Sequence, residues 1–128
     1  MAQLHTTHKI SDKQNVIKYA KHNKVRLKAG KREEDTKILL EFFKGLEGKV
    51  KEMSGFVVMD NVQDSQESIV LTFWKTKEDM DAFYKPDNKA LSDLVEKLKP
   101  SFEHLPHRKD YQVAKLSLKC FSEGCSTE

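Results

Sequence analysis

Residues 67–83 read Glu67-Ser68-Ile69-Val70-Leu71-Thr72-Phe73-Trp74-Lys75-Thr76-Lys77-Glu78-Asp79-Met80-Asp81-Ala82-Phe83, and the change of hydrophobic period inside them decides the fold. Up to Trp74 the residues are mostly β-branched, aromatic or leucine, the composition of a strand. From Thr76 onward, Thr-Lys-Glu-Asp supplies a side-chain cap, and Met80, Phe83 and Tyr84 then share one helical face. Upstream, Phe56-Val57-Val58-Met59 is a second β-like run. Asp64-Ser65-Gln66-Glu67 makes the turn between the two, which predicts a hairpin. Before it, Lys31-Arg32-Glu33-Glu34-Asp35 puts three acids in a helix's first turn, where they complement its dipole. Ile38, Leu39, Phe42, Phe43, Leu46, Val50 and Met53 follow at three- and four-residue steps. That spacing predicts an amphipathic helix of about five turns, closed by Ser54-Gly55.

From Asn15 to Ala29 the apolar residues Ile17, Tyr19, Val25, Leu27 and Ala29 alternate with Lys18, His22, Lys24, Arg26 and Lys28. A period of two predicts a strand, bulged near Lys21-His22-Asn23 and ended by Gly30. Downstream of the capped helix, Pro86-Asp87-Asn88 interrupts. A further helix carries Leu91, Leu94, Val95 and Leu98 and ends near Pro100. Tyr111-Gln112-Val113-Ala114-Lys115-Leu116 alternates as a last strand. The order is βαββαβ, the ferredoxin-like α+β arrangement, with a four-stranded antiparallel sheet and helices on one face. In the third strand Ile69, Leu71 and Phe73 point one way, and Val70 and Trp74 point the other with Thr72 between them. Both faces are apolar and one helix layer covers only one of them. The face of Val70 and Trp74, with Val57 and Met59 beside it, is expected to need a second copy packed sheet to sheet about a twofold axis.

The chain has 128 residues, enough for one domain that buries its own core. Expected boundaries are a flexible arm over 1–13, the domain over 14–118 and a polar tail over 119–128. No apolar run approaches the ~20 residues of a membrane span, and the start of the chain lacks a signal peptide's apolar core. A soluble, cytoplasmic protein with no membrane partner is the expectation. The formal charge of +3 comes from 20 Lys and only 3 Arg set against 20 acids. Lysines interleaved with acids, and few arginine forks, argue against nucleic acid as a partner. Cys120 and Cys125 lie in the tail with four residues between them, which is not the spacing of a zinc site. His104-Leu105-Pro106-His107 holds only two ligands on a loop, so no metal site is expected.

The stretch Ser54-Gly55-Phe56, followed by Ile69 to Phe83 and by a closing Lys109-Asp110-Tyr111-Gln112-Val113, resembles the antibiotic biosynthesis monooxygenase domain, over roughly Asn23 to Leu116. The resemblance implies a dimeric α+β barrel with a largely apolar pocket between sheet and helices. It also implies cofactor-free oxidation of a small phenol- or quinol-like molecule, whose deprotonated form reduces O2 directly. Asn23 and Trp74 then stand as catalytic candidates, and Phe83, Tyr84 and Asn88 as ligand-binding ones. Each has a plainer reading. Asn23 can satisfy a bulge, Trp74 can anchor the core or an interface, and Tyr84 can simply pack with Phe83. The family's haem-degrading branch is similar in form and uses an Asn, a Trp and a His. Asn23 matches its Asn, but Phe83 stands in place of its Trp and Asp93 in place of its haem-ligand His. Many other members carry histidines at the positions of Phe83 and Asn88. No cofactor is therefore expected, and haem binding through His22, His104 or His107 is a further alternative. Another is a non-catalytic, ligand-binding or stress-associated dimer.

Overall fold

The computed structural model describes residues 17–118. The expected arm and the tail with its two cysteines lie outside these residues. Strand β1 (Tyr19–Arg26) is followed by α1 (Arg32–Leu46), β2 (Met53–Asp60), β3 (Glu67–Trp74), α2 (Lys77–Phe83), α3 (Lys89–Leu98), a single 3-10 turn (Lys99–Ser101) and β4 (His107–Gln112). The sheet is antiparallel with the order β2-β3-β1-β4, so the ferredoxin-like βαββαβ topology expected from the sequence is present. It does not close into a barrel. β2 and β4 pair on one side only and leave two free edges, which corrects the barrel implied by the family resemblance.

Each element follows from a local cause. The two glycines with positive φ, Gly30 (φ +79°) and Gly48 (φ +78°), lie in the turn between β1 and α1 and in the turn after α1, where a side chain would be strained. α1 therefore stops at Leu46, short of the expected five turns, and Val50 and Met53 belong to the turn and strand beyond it. The α2 helix starts on Thr76, whose Oγ1 accepts the Asp79 N–H at 3.1 Å. The α3 helix starts on Asn88, whose Oδ1 accepts the Leu91 N–H at 3.3 Å while its Nδ2 donates to the Phe83 carbonyl at 2.7 Å. One residue thus caps α3 and ties it to the end of α2. Arg32 Nη1 donates to the carbonyls of Asn61 (2.7 Å) and Asp64 (2.9 Å), fastening the start of α1 to the β2–β3 turn.

The register of β1 on β3 runs unbroken from Tyr19↔Trp74 to Arg26↔Glu67, so the expected bulge at Lys21–Asn23 is absent. The irregularity falls in β2 instead, between Met53 and Gly55. The last strand occupies His107–Gln112, four residues ahead of the expected one, because Lys21, Asn23 and their neighbours in β1 offer their second edge there.

Val25, Leu27, Val70 and Trp74 from the sheet meet Leu39 and Phe43 of α1, Met80 and Phe83 of α2, and Leu91, Leu94 and Leu98 of α3. This corrects the assignment of faces. Val70, Thr72 and Trp74 are buried beneath the helices. The uncovered face carries Ile69, Leu71 and Phe73, with Val57 and Met59 of β2 and Tyr111 of β4 beside them in register. The alternation was legible, but both parities are apolar and only the packing of α1 to α3 selects between them.

Candidate functional site

Between α1, α3 and the inner sheet face lies a cavity of about 50 Å³. Its walls are mostly apolar, with Val25, Val70, Leu39, Phe43, Leu91 and Leu94 among them. Three polar groups cluster on its β1–β4 side. Asn23 is inward-facing and 7% exposed. Its Nδ2 donates to the Val70 carbonyl at 3.1 Å and to the Tyr84 hydroxyl at 3.3 Å, and its Oδ1 accepts from Arg108 Nε at 2.9 Å. These contacts fix which way the amide points. The Tyr84 hydroxyl continues the chain to Thr72 Oγ1 at 2.9 Å, and Trp74 Nε1 donates to that same oxygen at 2.9 Å. A connected path thus runs Arg108, Asn23, Tyr84, Thr72, Trp74.

The ring of Tyr84 lies against two cations, Lys21 Nζ at 4.8 Å from its centroid and the Arg108 guanidinium at 4.9 Å. Lys21 is itself paired with Asp110 at 2.6 Å. Burial pushes the Tyr84 hydroxyl above its ordinary range; the hydrogen bonds from Thr72 and Asn23 and the charge of Arg108 oppose that shift. Tyr84 is therefore a neutral phenol at physiological pH.

Asn23 and Tyr84 line the cavity together. Trp74, which is fully buried, and Phe83 pack behind Tyr84, with ring centroids 5.2 Å apart between Trp74 and Phe83 and 5.1 Å between Phe83 and Tyr84. Neither reaches the cavity wall, and Asn88 is engaged as the α3 cap. His22 sits on the opposite, uncovered sheet face, its ring 6.0 Å from that of Tyr111, while His104 and His107 are exposed. Among the described residues no group of three or more His, Cys, Asp or Glu could hold a metal ion. No described histidine lines the cavity, so these residues do not fit a histidine-ligated haem.

Two residues that matter here escaped the sequence reading. Arg108 belongs to the strand whose start was misplaced. In the sequence Asp35 reads as one of three first-turn acids that complement the helix dipole, yet it is fully buried and lines the cavity. The signal was present: Asp35 falls one helical turn before Leu39 and two before Phe43, on the same inward stripe. Its burial, and secondarily the charge of Asp60, push its carboxyl up to about 6.

The cavity opens beside a groove of about 290 Å³, with which it shares Tyr84, Leu91, Val95, Pro106 and Arg108. An engineered apolar cavity of about 150 Å³ holds a benzene molecule, so a ring-sized guest must span inner cavity and outer groove.

No protein-family model and no curated protein matches the chain. This corrects the family assignment drawn from sequence: membership in the monooxygenase family has no such support, and a shared fold remains. Solved structures with that fold are numerous. A conserved protein from Methanosarcina mazei Go1 superposes with a TM-score of 0.64 at 14% identity, over 77% of this chain and 94% of that one. A protein named as a candidate antibiotic biosynthesis monooxygenase from Chloroflexus aurantiacus J-10-fl gives 0.60 at 18% identity, over 77% and 95%. Another so named, from Caulobacter crescentus CB15, gives 0.67 at 9% identity, over 84% and 100%. At such identities the likeness establishes the fold alone. The class is thus a ferredoxin-like α+β domain with a helix-side cavity, a fold shared with these solved structures.

Proposed function

We propose that the chain binds a small phenol- or quinol-like molecule in the cavity beneath α1 and α3 and oxidises it as a cofactor-independent monooxygenase. The observation that carries this reading is the meeting of Asn23, Tyr84 and Arg108 at one side of a mostly apolar cavity. An electron-rich anion formed from the ligand needs hydrogen-bond donors and a nearby cation in a low-dielectric site, and these three residues supply them. Trp74 acts through Thr72 and Tyr84, as a positioning residue for the Tyr84 hydroxyl. Phe83 backs the Tyr84 ring, and Asn88 holds the α2–α3 corner over the groove. The test is oxygen uptake with a panel of quinols and phenols. Asn23→Ala and Arg108→Ala are expected to lower kcat/KM by about 10²-fold each, the size typical of a lost anion-stabilising donor. Uptake that no substrate elicits in the wild-type protein would remove the catalytic reading. The small inner volume and the full protein pairing of the Asn23 amide favour a second reading, a ligand-binding domain without turnover.

The protein acts as a homodimer in this reading, in a cytoplasmic setting, and no helix among the described residues is long and apolar enough to cross a membrane. The support for a dimer is the uncovered sheet face, where Val57, Met59 and Tyr111 are 38%, 42% and 49% exposed around half-buried Ile69, Leu71 and Phe73. Leu71→Asp puts an unpaired charge at the centre of that face. It is expected to convert the dimer to monomer at micromolar concentration in sedimentation velocity, with unchanged far-UV circular dichroism. A wild-type protein that sediments as a monomer at about 100 μM, an association free energy weaker than roughly −5.5 kcal/mol, would exclude the dimer.

A further inference from the structure

Asp35 is, among the described residues, the buried polar group of the cavity that the proposed chemistry leaves unused. Its residue is fully buried, and neither carboxylate oxygen has a hydrogen-bond partner among the described residues. A buried polar atom without a partner is rare in folded proteins, and an unpaired buried carboxylate rarer still. Nothing in the packing of α1 requires it, because the neighbouring inward positions are Leu39 and Phe43. The nearby Asp60 does not relieve it; that carboxylate is occupied by Ser68 Oγ at 2.6 Å and by Thr36 Oγ1 at 3.3 Å.

We propose that Asp35 is the ligand-recognition residue at the inner end of the cavity, accepting the hydrogen bond of a neutral hydroxyl on an otherwise apolar ligand. The inference rests on the cavity being a ligand site. The Asp35 carboxylate finds no donor among the described residues, whereas a guest hydroxyl supplies one and is charge-assisted when Asp35 is ionised. A metal ion is not the proposed guest, since no group of three or more His, Cys, Asp or Glu among the described residues could hold one. An ammonium is disfavoured on two grounds. It must shed its hydration in an apolar site, and Lys21 and Arg108 flank Tyr84 on the polar side of the same cavity. Those cations suit the opposite polarity, an acceptor or electron-rich end of the ligand near Arg108. The ligand class is therefore a hydroxyl-bearing ring compound. Its hydroxyl points to Asp35, its apolar body lies along Leu39, Leu94 and Val70, and its outer end sits in the groove by Arg108 and Pro106.

Phenol and anisole separate the hydroxyl from the ring. Both are titrated into the full-length protein at pH 7.5, and binding is followed by amide chemical shifts of Val70, Leu39 and Leu94. The wild-type protein is expected to bind phenol about tenfold more tightly than anisole, the worth of one charge-assisted hydrogen bond. In Asp35→Leu the ratio falls to about one. In Asp35→Asn, which keeps the shape and is the safer variant to fold, it falls to about threefold. A tenfold ratio that persists in either variant overturns the assignment of Asp35 and leaves the ligand site standing. A wild-type ratio near one also overturns it. Failure of both compounds to shift the cavity residues of the wild-type protein instead removes the ligand site itself, and this inference with it.

Discussion

Trp74→Ala is expected to destabilise the protein by about 3–5 kcal/mol, the range for deleting a large buried aromatic side chain. Trp74 has no exposed surface, packs its indole on Phe83 at 5.2 Å between centroids, and spends its N–H on Thr72 Oγ1. Its loss opens a void under α2 and removes one of the bonds that hold the Thr72 hydroxyl in place for Tyr84. Against the ~5–15 kcal/mol that keeps a domain folded, this is roughly a fifth of the total or more. Urea denaturation followed by far-UV circular dichroism measures it, with the m-value as a check that the unfolded state is unchanged. A loss below about 1 kcal/mol would mean that the indole is not a core anchor. Trp74→Phe, which keeps much of the ring volume and gives up the N–H, is expected to lie well below the alanine variant.

Asp35→Asn is expected to have the opposite sign at neutral pH. The folded-state pKa of Asp35 is raised from 3.8 to about 6. Its favourable contribution to stability is therefore fully present below pH about 4, declines as pH rises, and is gone above pH about 6. The size of that shift corresponds to roughly 3 kcal/mol as an upper estimate. The Asn variant carries no ionisable group there. Its advantage over the wild-type protein should thus be negligible at pH 4, grow between pH 4 and 6, and level off at up to ~3 kcal/mol by pH 7. Asp64, Glu67 and Asp81 work in the other direction, each held below its ordinary pKa, Asp64 by the Gln66 N–H and then Arg26, Glu67 by Asn61, and Asp81 by Lys77. They are common to both proteins, so the difference between the two stability curves isolates Asp35. Parallel curves across this range would show that Asp35 is hydrated or paired in solution.

The same residue exposes the limit of reading a chain by pattern. Glu33, Glu34 and Asp35 are equivalent as first-turn acids, and the dipole argument treats them alike. The rotation of α1 against the sheet turns Asp35 inward and leaves the two glutamates exposed. Asn23 was easier, because a polar residue on the inward parity of a strand is conspicuous whatever it does. Arg108 was harder. Nothing in Arg108-Lys109-Asp110 reads as a strand, and every residue of β4 is exposed. It pairs there because β1 has a free edge, which is a property of the sheet and not of the segment.

The sequence by itself determined the order βαββαβ, the side-chain cap at Thr76 and the inward parity of Asn23, whereas the cap at Asn88 emerged only in the structure. The features legible in the sequence rest on short-range chemistry: period, a capping hydroxyl, and glycines that accept positive φ. The tertiary structure decided which face of β3 is covered, where β4 begins, that the sheet stays open, and that Asp35 and Arg108 reach the cavity walls while Trp74 stays behind them. Those outcomes depend on packing between segments far apart in the chain, where two apolar faces or three adjacent acids are equally good locally and only the assembled layers distinguish them.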